Sequence, residues 1–165
     1  MREFRIYKPT RTQAGTALKI QCVNKIKMGG KFPQYMLFLE VASQLKEKNE
    51  QGNDKFDWRS QENPNSKSAT MKLDPVDVAE ILLVLNGYRE EAKLFHDRRT
   101  LRTEETKSAK STGNTMLSFK KHDGKLYLRL STGKDTAYNI GVSANEAIQL
   151  KLLLERFILL YYGWV

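Results

Sequence analysis

Met71-Lys72-Leu73-Asp74-Pro75-Val76-Asp77-Val78-Ala79-Glu80-Ile81-Leu82-Leu83-Val84-Leu85 can be laid without a gap over Ile140-Gly141-Val142-Ser143-Ala144-Asn145-Glu146-Ala147-Ile148-Gln149-Leu150-Lys151-Leu152-Leu153-Leu154. Self-similarity at this spacing implies a duplication in which each half ends in a strand running directly into a helix. Asp74 with Pro75 at the first helical position, and Ser143 with Glu146 in an S-x-x-E capping box, put side-chain acceptors where the orphan amides of a first helical turn need them. Asn86-Gly87 and Gly163 supply residues suited to closing the two helices.

Upstream of each helix the hydrophobic period is two, and clusters of Gly, Pro and Asn punctuate the runs. In the first half this predicts strands at Phe4 to Lys8, Thr16 to Asn24, Tyr35 to Ser43 and Lys67 to Leu73. In the second it predicts Lys93 to His96, Thr115 to Lys121, Lys125 to Ser131 and Ala137 to Val142. His122-Asp123-Gly124 is a tight hairpin turn, because Asp-Gly accepts positive backbone dihedrals. Lys46 to Ser66 and Arg98 to Gly113 are expected to be loops, the second basic and rich in Thr and Ser. Its Arg98, Arg99, Arg102, Lys107 and Lys110 are interrupted by Glu104 and Glu105, as on a solvated loop. The expected fold class is α+β: two four-stranded antiparallel sheets packed face to face with two helices, a pseudo-two-fold ββββα repeat. One domain would span 1–165, with repeats over about 1–87 and about 88–165.

The 165 residues carry 28 Lys and Arg against 19 Asp and Glu, a formal charge of +9, which points to a polyanionic partner. One cysteine, Cys22, cannot close an internal disulfide, and two histidines, His96 and His122, cannot build a zinc site of the usual composition. No metal or cofactor is therefore expected. Lys151, Glu155 and Arg156 interrupt the most apolar stretch, Ala144 to Val165, which argues against a membrane span. Residues 1–15 have no apolar core of signal-peptide length, so a soluble intracellular protein with no visible targeting segment is expected. Catalytic constellations are poor. His96 and Asp97 point to opposite faces of a strand, and Lys27-Met28-Gly29-Gly30-Lys31 lacks the spacing of a phosphate-binding loop and precedes no helix. Cys22 falls on an inward face, as a small core residue does. The chain is not expected to be an enzyme.

Alternation sorts each strand into an apolar set and an outward remainder. Leu126, Leu128 and Leu130 point inward and leave Lys125, Tyr127 and Arg129 outward. Phe4 and Ile6 leave Arg5 and Tyr7; Leu18, Ile20 and Cys22 leave Lys19 and Gln21. Leu37, Leu39 and Val41 leave Met36 and Phe38, and Ala69, Met71 and Leu73 leave Ser68, Thr70 and Lys72. Cations beside rings are what single-stranded nucleic acid requires, because the cations neutralise phosphates while the rings stack on exposed bases. The expected stacking residues are Tyr7, Phe38 and Tyr127, and the expected phosphate contacts are Lys8, Lys19, Lys72, Lys125 and Arg129. The helices carry more apolar surface than two small sheets need. Leu82, Val84, Leu153 and Phe157 are accordingly expected at an oligomer interface.

Four short stretches, in order, resemble the Whirly family of single-stranded DNA-binding proteins. Ile6-Tyr7-Lys8 followed by Gly15-Thr16-Ala17-Leu18 resembles the family's opening Tyr-Lys-Gly-Lys-Ala-Ala-Leu, with Pro9 to Ala14 interrupting it. Phe56-Asp57-Trp58 is similar to its Tyr-Asp-Trp, Lys93-Leu94-Phe95-His96-Asp97 to its Phe-Phe-His-Asp, and Gly163-Trp164 to its close. The resemblance implies a homotetramer with helices toward the centre, binding single-stranded DNA with little sequence preference, in repair, recombination or transcription. RNA-binding modules of similar topology make RNA the nearest alternative ligand. A purely structural oligomeric assembly protein is the alternative of another class.

Overall fold

The computed structural model describes residues 2–25, 34–60, 63, 66, 68–96, 114–133 and 136–164. The expected turn at 27–31, the basic loop at 98–113 and Asp97 lie outside the described residues. The elements run β1 (Arg2–Lys8), β2 (Thr16–Lys25), β3 (Gln34–Lys48), β4 (Asp54–Phe56), β5 (Ala69–Leu73), α1 (Pro75–Leu85), β6 (Glu91–His96), β7 (Thr115–His122), β8 (Lys125–Thr132), β9 (Thr136–Val142) and α2 (Ala144–Tyr162). This is the duplicated strand-rich half ending in a helix, with one correction. The first sheet has five strands because β3 extends to Lys48 and outruns β5. Leu37 to Val41 pair with Leu73 to Ala69, and farther along Gln44 and Lys48 pair with Phe56 and Asp54 through an irregular register. The segment expected to be a loop from Lys46 to Ser66 therefore contributes strand at both β3 and β4.

All strand pairs are antiparallel; the second sheet runs in the order β6, β7, β8, β9. Asp123 (φ 50°) and Gly124 (φ 72°) make the β7–β8 turn with the positive dihedrals expected of it. Both helices start at the predicted caps. Asp74 accepts from the amides of Val76 and Asp77, and the Ser143–Glu146 capping box is closed in both directions. Gly163, at φ 70°, ends α2 in the left-handed conformation. One buried cluster takes side chains from every element except β4, among them Ile6, Leu39, Val84, Phe119, Leu130, Ile140 and Phe157. With the inner faces of the strands and one stripe of each helix turned into that core, the outer faces of both sheets are left for function.

Gln44 is a buried polar staple beside the site. Its Oε1 accepts from the amides of Thr10 (2.9 Å) and Gly15 (3.1 Å), and its Nε2 donates to Asp54 Oδ1 at 2.9 Å. It ties the β1–β2 connection to β4, so the loop and the extra strand hold each other in place.

Candidate nucleic-acid interface

Register aligns the outward side chains of each sheet into cross-strand rows. On the first sheet one row is Glu3, Gln21, Phe38 and Lys72; the next is Arg5, Lys19, Glu40 and Thr70; the third is Tyr7, Ala17 and Ala42. On the second sheet the rows are Glu91, Lys120, Tyr127 and Gly141; Lys93, Ser118, Arg129 and Asn139; and Phe95, Met116, Ser131 and Ala137. The duplication thus extends to the outer faces. Glu3, Arg5 and Tyr7 on β1 correspond to Glu91, Lys93 and Phe95 on β6, and Phe38 corresponds to Tyr127. The faces diverge where Glu40 stands against Arg129 and Lys72 against Gly141.

On the first face most of the outward side chains engage one another, while Tyr7 keeps 45% of its surface exposed. Phe56 covers the small surfaces of Ala17 and Ala42, which are fully buried, and its ring lies 5.4 Å from Tyr7 and 6.4 Å from Trp58. Lys19, whose side chain is 15% exposed, sits 4.9 Å over the Trp58 ring and pairs with Glu40 at 2.6 Å. Glu40 is buried and also accepts the Arg59 amide and the Ser68 hydroxyl, both at 2.8 Å. Arg5 is held by Glu3 at 2.8 Å and donates to the Tyr7 hydroxyl at 3.0 Å. Lys19, expected as a phosphate contact, is here the partner of a buried carboxylate. Phe38 is half-buried, while Lys72 stays exposed at the end of its row.

Lys8, also expected to contact phosphate, has a carboxylate partner as well. Strand alternation turns it away from Tyr7, and its Nζ donates to both Glu146 carboxylate oxygens at 2.8 Å. Burial pushes the Glu146 carboxyl up, but the bonds from Lys8 and from the Ser143 amide and hydroxyl outweigh it and hold the group below its ordinary value. A lowered carboxyl stabilises the fold above its unfolded value, and that contribution is lost as pH falls through the folded one. Glu146→Gln is expected to flatten the acid limb of a stability–pH curve below the ordinary value of 4.5. Chemical denaturation measured across that range checks it.

The second face is open. Lys125, Tyr127 and Arg129 all project outward from β8, with Tyr127 43% exposed, and Phe95 on β6 is 67% exposed. Among the described residues no carboxylate lies within salt-bridge distance of Lys125 or Arg129. Glu91, the acid of the first row, accepts from the Ser118 hydroxyl at 2.9 Å and pairs with Lys93 at 3.1 Å; these contacts, Ser118 foremost, hold its carboxyl below the usual range. The inward Ala92 and Leu94 of the same strand imply an outward Phe95, a ring that was absent from the expected stacking residues. Phe56 and Trp58 were missed because they close over the sheet from a segment without strand periodicity.

His96 turns inward and lies 2.9 Å from Asp77, the carboxylate of the α1 capping box. Burial pushes the Asp77 carboxyl up, while the Asp74 amide and His96 oppose it. The pair joins the edge strand to the first turn of α1.

The expected interface set also divides. Val84 and Phe157 are each 1% exposed within the chain's own core, while Leu82 and Leu153 are half-buried against it. On α2 the inward stripe is Leu150, Leu154 and Phe157, which turns Ile148 and Leu152 outward; they and Val76 on α1 are the large aliphatic side chains exposed on the helices. Among the described residues no cluster of His, Cys, Asp and Glu is arranged to hold a metal, and no helix is long and apolar enough to cross a membrane.

No family model matches the sequence, and no curated protein matches it. Among solved structures the chain is similar to the plant transcriptional regulator PBF-2, with a TM-score of 0.63 over 98% of this chain and 82% of that one, at 17% identity. At that identity the likeness is one of fold. The chain has a Whirly-like fold, the duplicated α+β arrangement of two antiparallel sheets and two helices.

Proposed function

We propose that this chain binds single-stranded DNA, largely without sequence preference, through the outer face of its second sheet. The observation that carries the proposal is the Lys125, Tyr127 and Arg129 alternation beside exposed Phe95, on a face where neither β8 cation has a carboxylate partner among the described residues. The cations meet phosphates and the rings stack on bases, so affinity needs no base-edge contacts. Tyr7, Phe38 and Lys72 form a secondary surface; Lys19 and Lys8 position the segments around it. The fold shared with a structure described as a transcriptional regulator supports this reading. Binding rather than catalysis is the proposed activity, protecting or organising unwound DNA in repair, recombination or transcription.

Fluorescence anisotropy of labelled single-stranded DNA, RNA and duplex, each at two salt concentrations, tests the reading. Tight, salt-sensitive binding to single-stranded DNA with much weaker duplex binding supports it, because pairing hides the base faces that rings need. Preference for RNA would replace it with the RNA-binding alternative. Equal affinity for duplex and single strand, or no salt-sensitive binding, would contradict it.

We infer that the chain assembles as a homotetramer through its helices, the stoichiometry that the family resemblance implies. Exposed Val76, Ile148 and Leu152 support the use of this surface. Leu152→Glu is expected to dissociate the assembly while leaving the monomer folded, since Leu152 is 60% exposed in the chain. Light scattering on the unmodified protein should give about four times the 19.1 kDa chain mass, and the variant should fall toward that mass. A monomer before substitution contradicts the inference.

A further inference from the structure

Gly141 has no evident structural reason to be glycine. It lies inside β9, outside the left-handed region that favours glycine, and a Cβ built on it meets nothing within 4 Å. A strand-interior glycine weakens a sheet and packs nothing, so where neither a turn nor crowding demands it, it marks a place where something else approaches the backbone. Its cross-strand neighbour is Tyr127. Along β8 that ring has Lys125 on one side and Arg129 on the other, while Lys120 faces it from β7. The ring is thus bordered by cations on three sides and by bare backbone on the fourth.

The duplication supplies an internal comparison. Gly141 aligns with Lys72, and Tyr127 aligns with Phe38, which is likewise the cross-strand partner of Lys72. The same row therefore exists twice, once with a lysine stem beside the ring and once with none. Phe38 is half-buried and Tyr127 is exposed.

We propose that Tyr127 and Gly141 form a slot for one nucleobase, which stacks on the Tyr127 ring and extends over the Gly141 backbone, while Lys125 and Arg129 hold the adjoining phosphates. The proposal rests on the nucleic-acid reading above and adds that access depends on the missing side chain at residue 141.

The test compares the unmodified protein with Gly141→Val and Gly141→Lys, using oligodeoxythymidylate and an abasic strand of equal length as probes. Valine favours strands and has room here, so thermal melting of Gly141→Val without DNA is expected to be unchanged or higher. Its affinity for oligodeoxythymidylate should fall about 5- to 150-fold, the range of one lost base stack. Abasic binding should be unchanged, because the phosphate contacts remain. Gly141→Lys, which copies the first sheet, should also weaken oligodeoxythymidylate binding despite its added positive charge. If the unmodified protein binds the strand and both variants match it, the slot is wrong and the broader reading stands. If the unmodified protein fails to bind oligodeoxythymidylate, both fall.

Discussion

Phe157→Ala is expected to lower the unfolding free energy by about 3–5 kcal/mol, the cost of removing an aromatic ring from a packed core. Phe157 is 1% exposed, belongs to the cluster shared by both sheets and both helices, and lies 5.8 Å from the Tyr161 ring. Truncation would leave a cavity bounded by strands that cannot collapse onto it without breaking their ladders. The loss should appear in denaturant unfolding and should not depend on protein concentration. An interface residue would behave otherwise, because stability supplied by association shifts with concentration. The experiment thus distinguishes the inward stripe of α2 from the outward stripe carrying Ile148 and Leu152.

The Phe95→Ala, Tyr127→Ala double variant is expected to lose about 2–6 kcal/mol of affinity for single-stranded DNA, at 1–3 kcal/mol for each lost stack. The rings stand in different rows of the second sheet, so their losses should be close to additive. The dependence of affinity on salt should stay near that of the unmodified protein, since neither ring carries charge. Tyr127→Phe keeps the stacking face and should restore most of the Tyr127 loss. Phe56→Ala should instead destabilise the fold, because that ring is committed to Ala17 and Ala42. An isothermal titration in which the double variant binds with unmodified enthalpy and affinity would count against stacking on this face.

The helix starts were legible because capping is local chemistry: Asp74 and Ser143 each act within three residues of themselves. Inward and outward assignments along β8 were legible for the same reason, since a strict period of two needs no knowledge of the partner strand. Lys8, Lys19 and β4 were not. The partner of Lys8 is 138 residues away at Glu146, and that of Lys19 sits on a neighbouring strand at Glu40. Strand β4 exists because β3 outruns β5, a fact of tertiary pairing that three residues cannot announce. Val84 and Phe157 lie in the chain's own core, and an apolar helix does not reveal which of its stripes its own sheets will cover. The overlay of the two halves already set Lys72 against Gly141, while the matching of Glu40 with Arg129 became visible only through register.

In the proposed complex the cations of β8 contact the phosphates of a bound strand. The most direct test of that contact is the slope of log affinity against log salt for the unmodified protein and for Lys125→Ala, Arg129→Ala together, measured with the same single-stranded DNA. Each phosphate contact on a single strand contributes a slope of about −0.7. Weaker binding and a slope shallower by about 1.4 are expected in the double variant. A double variant whose line keeps the unmodified slope would show that these cations contact no phosphate and would contradict the account.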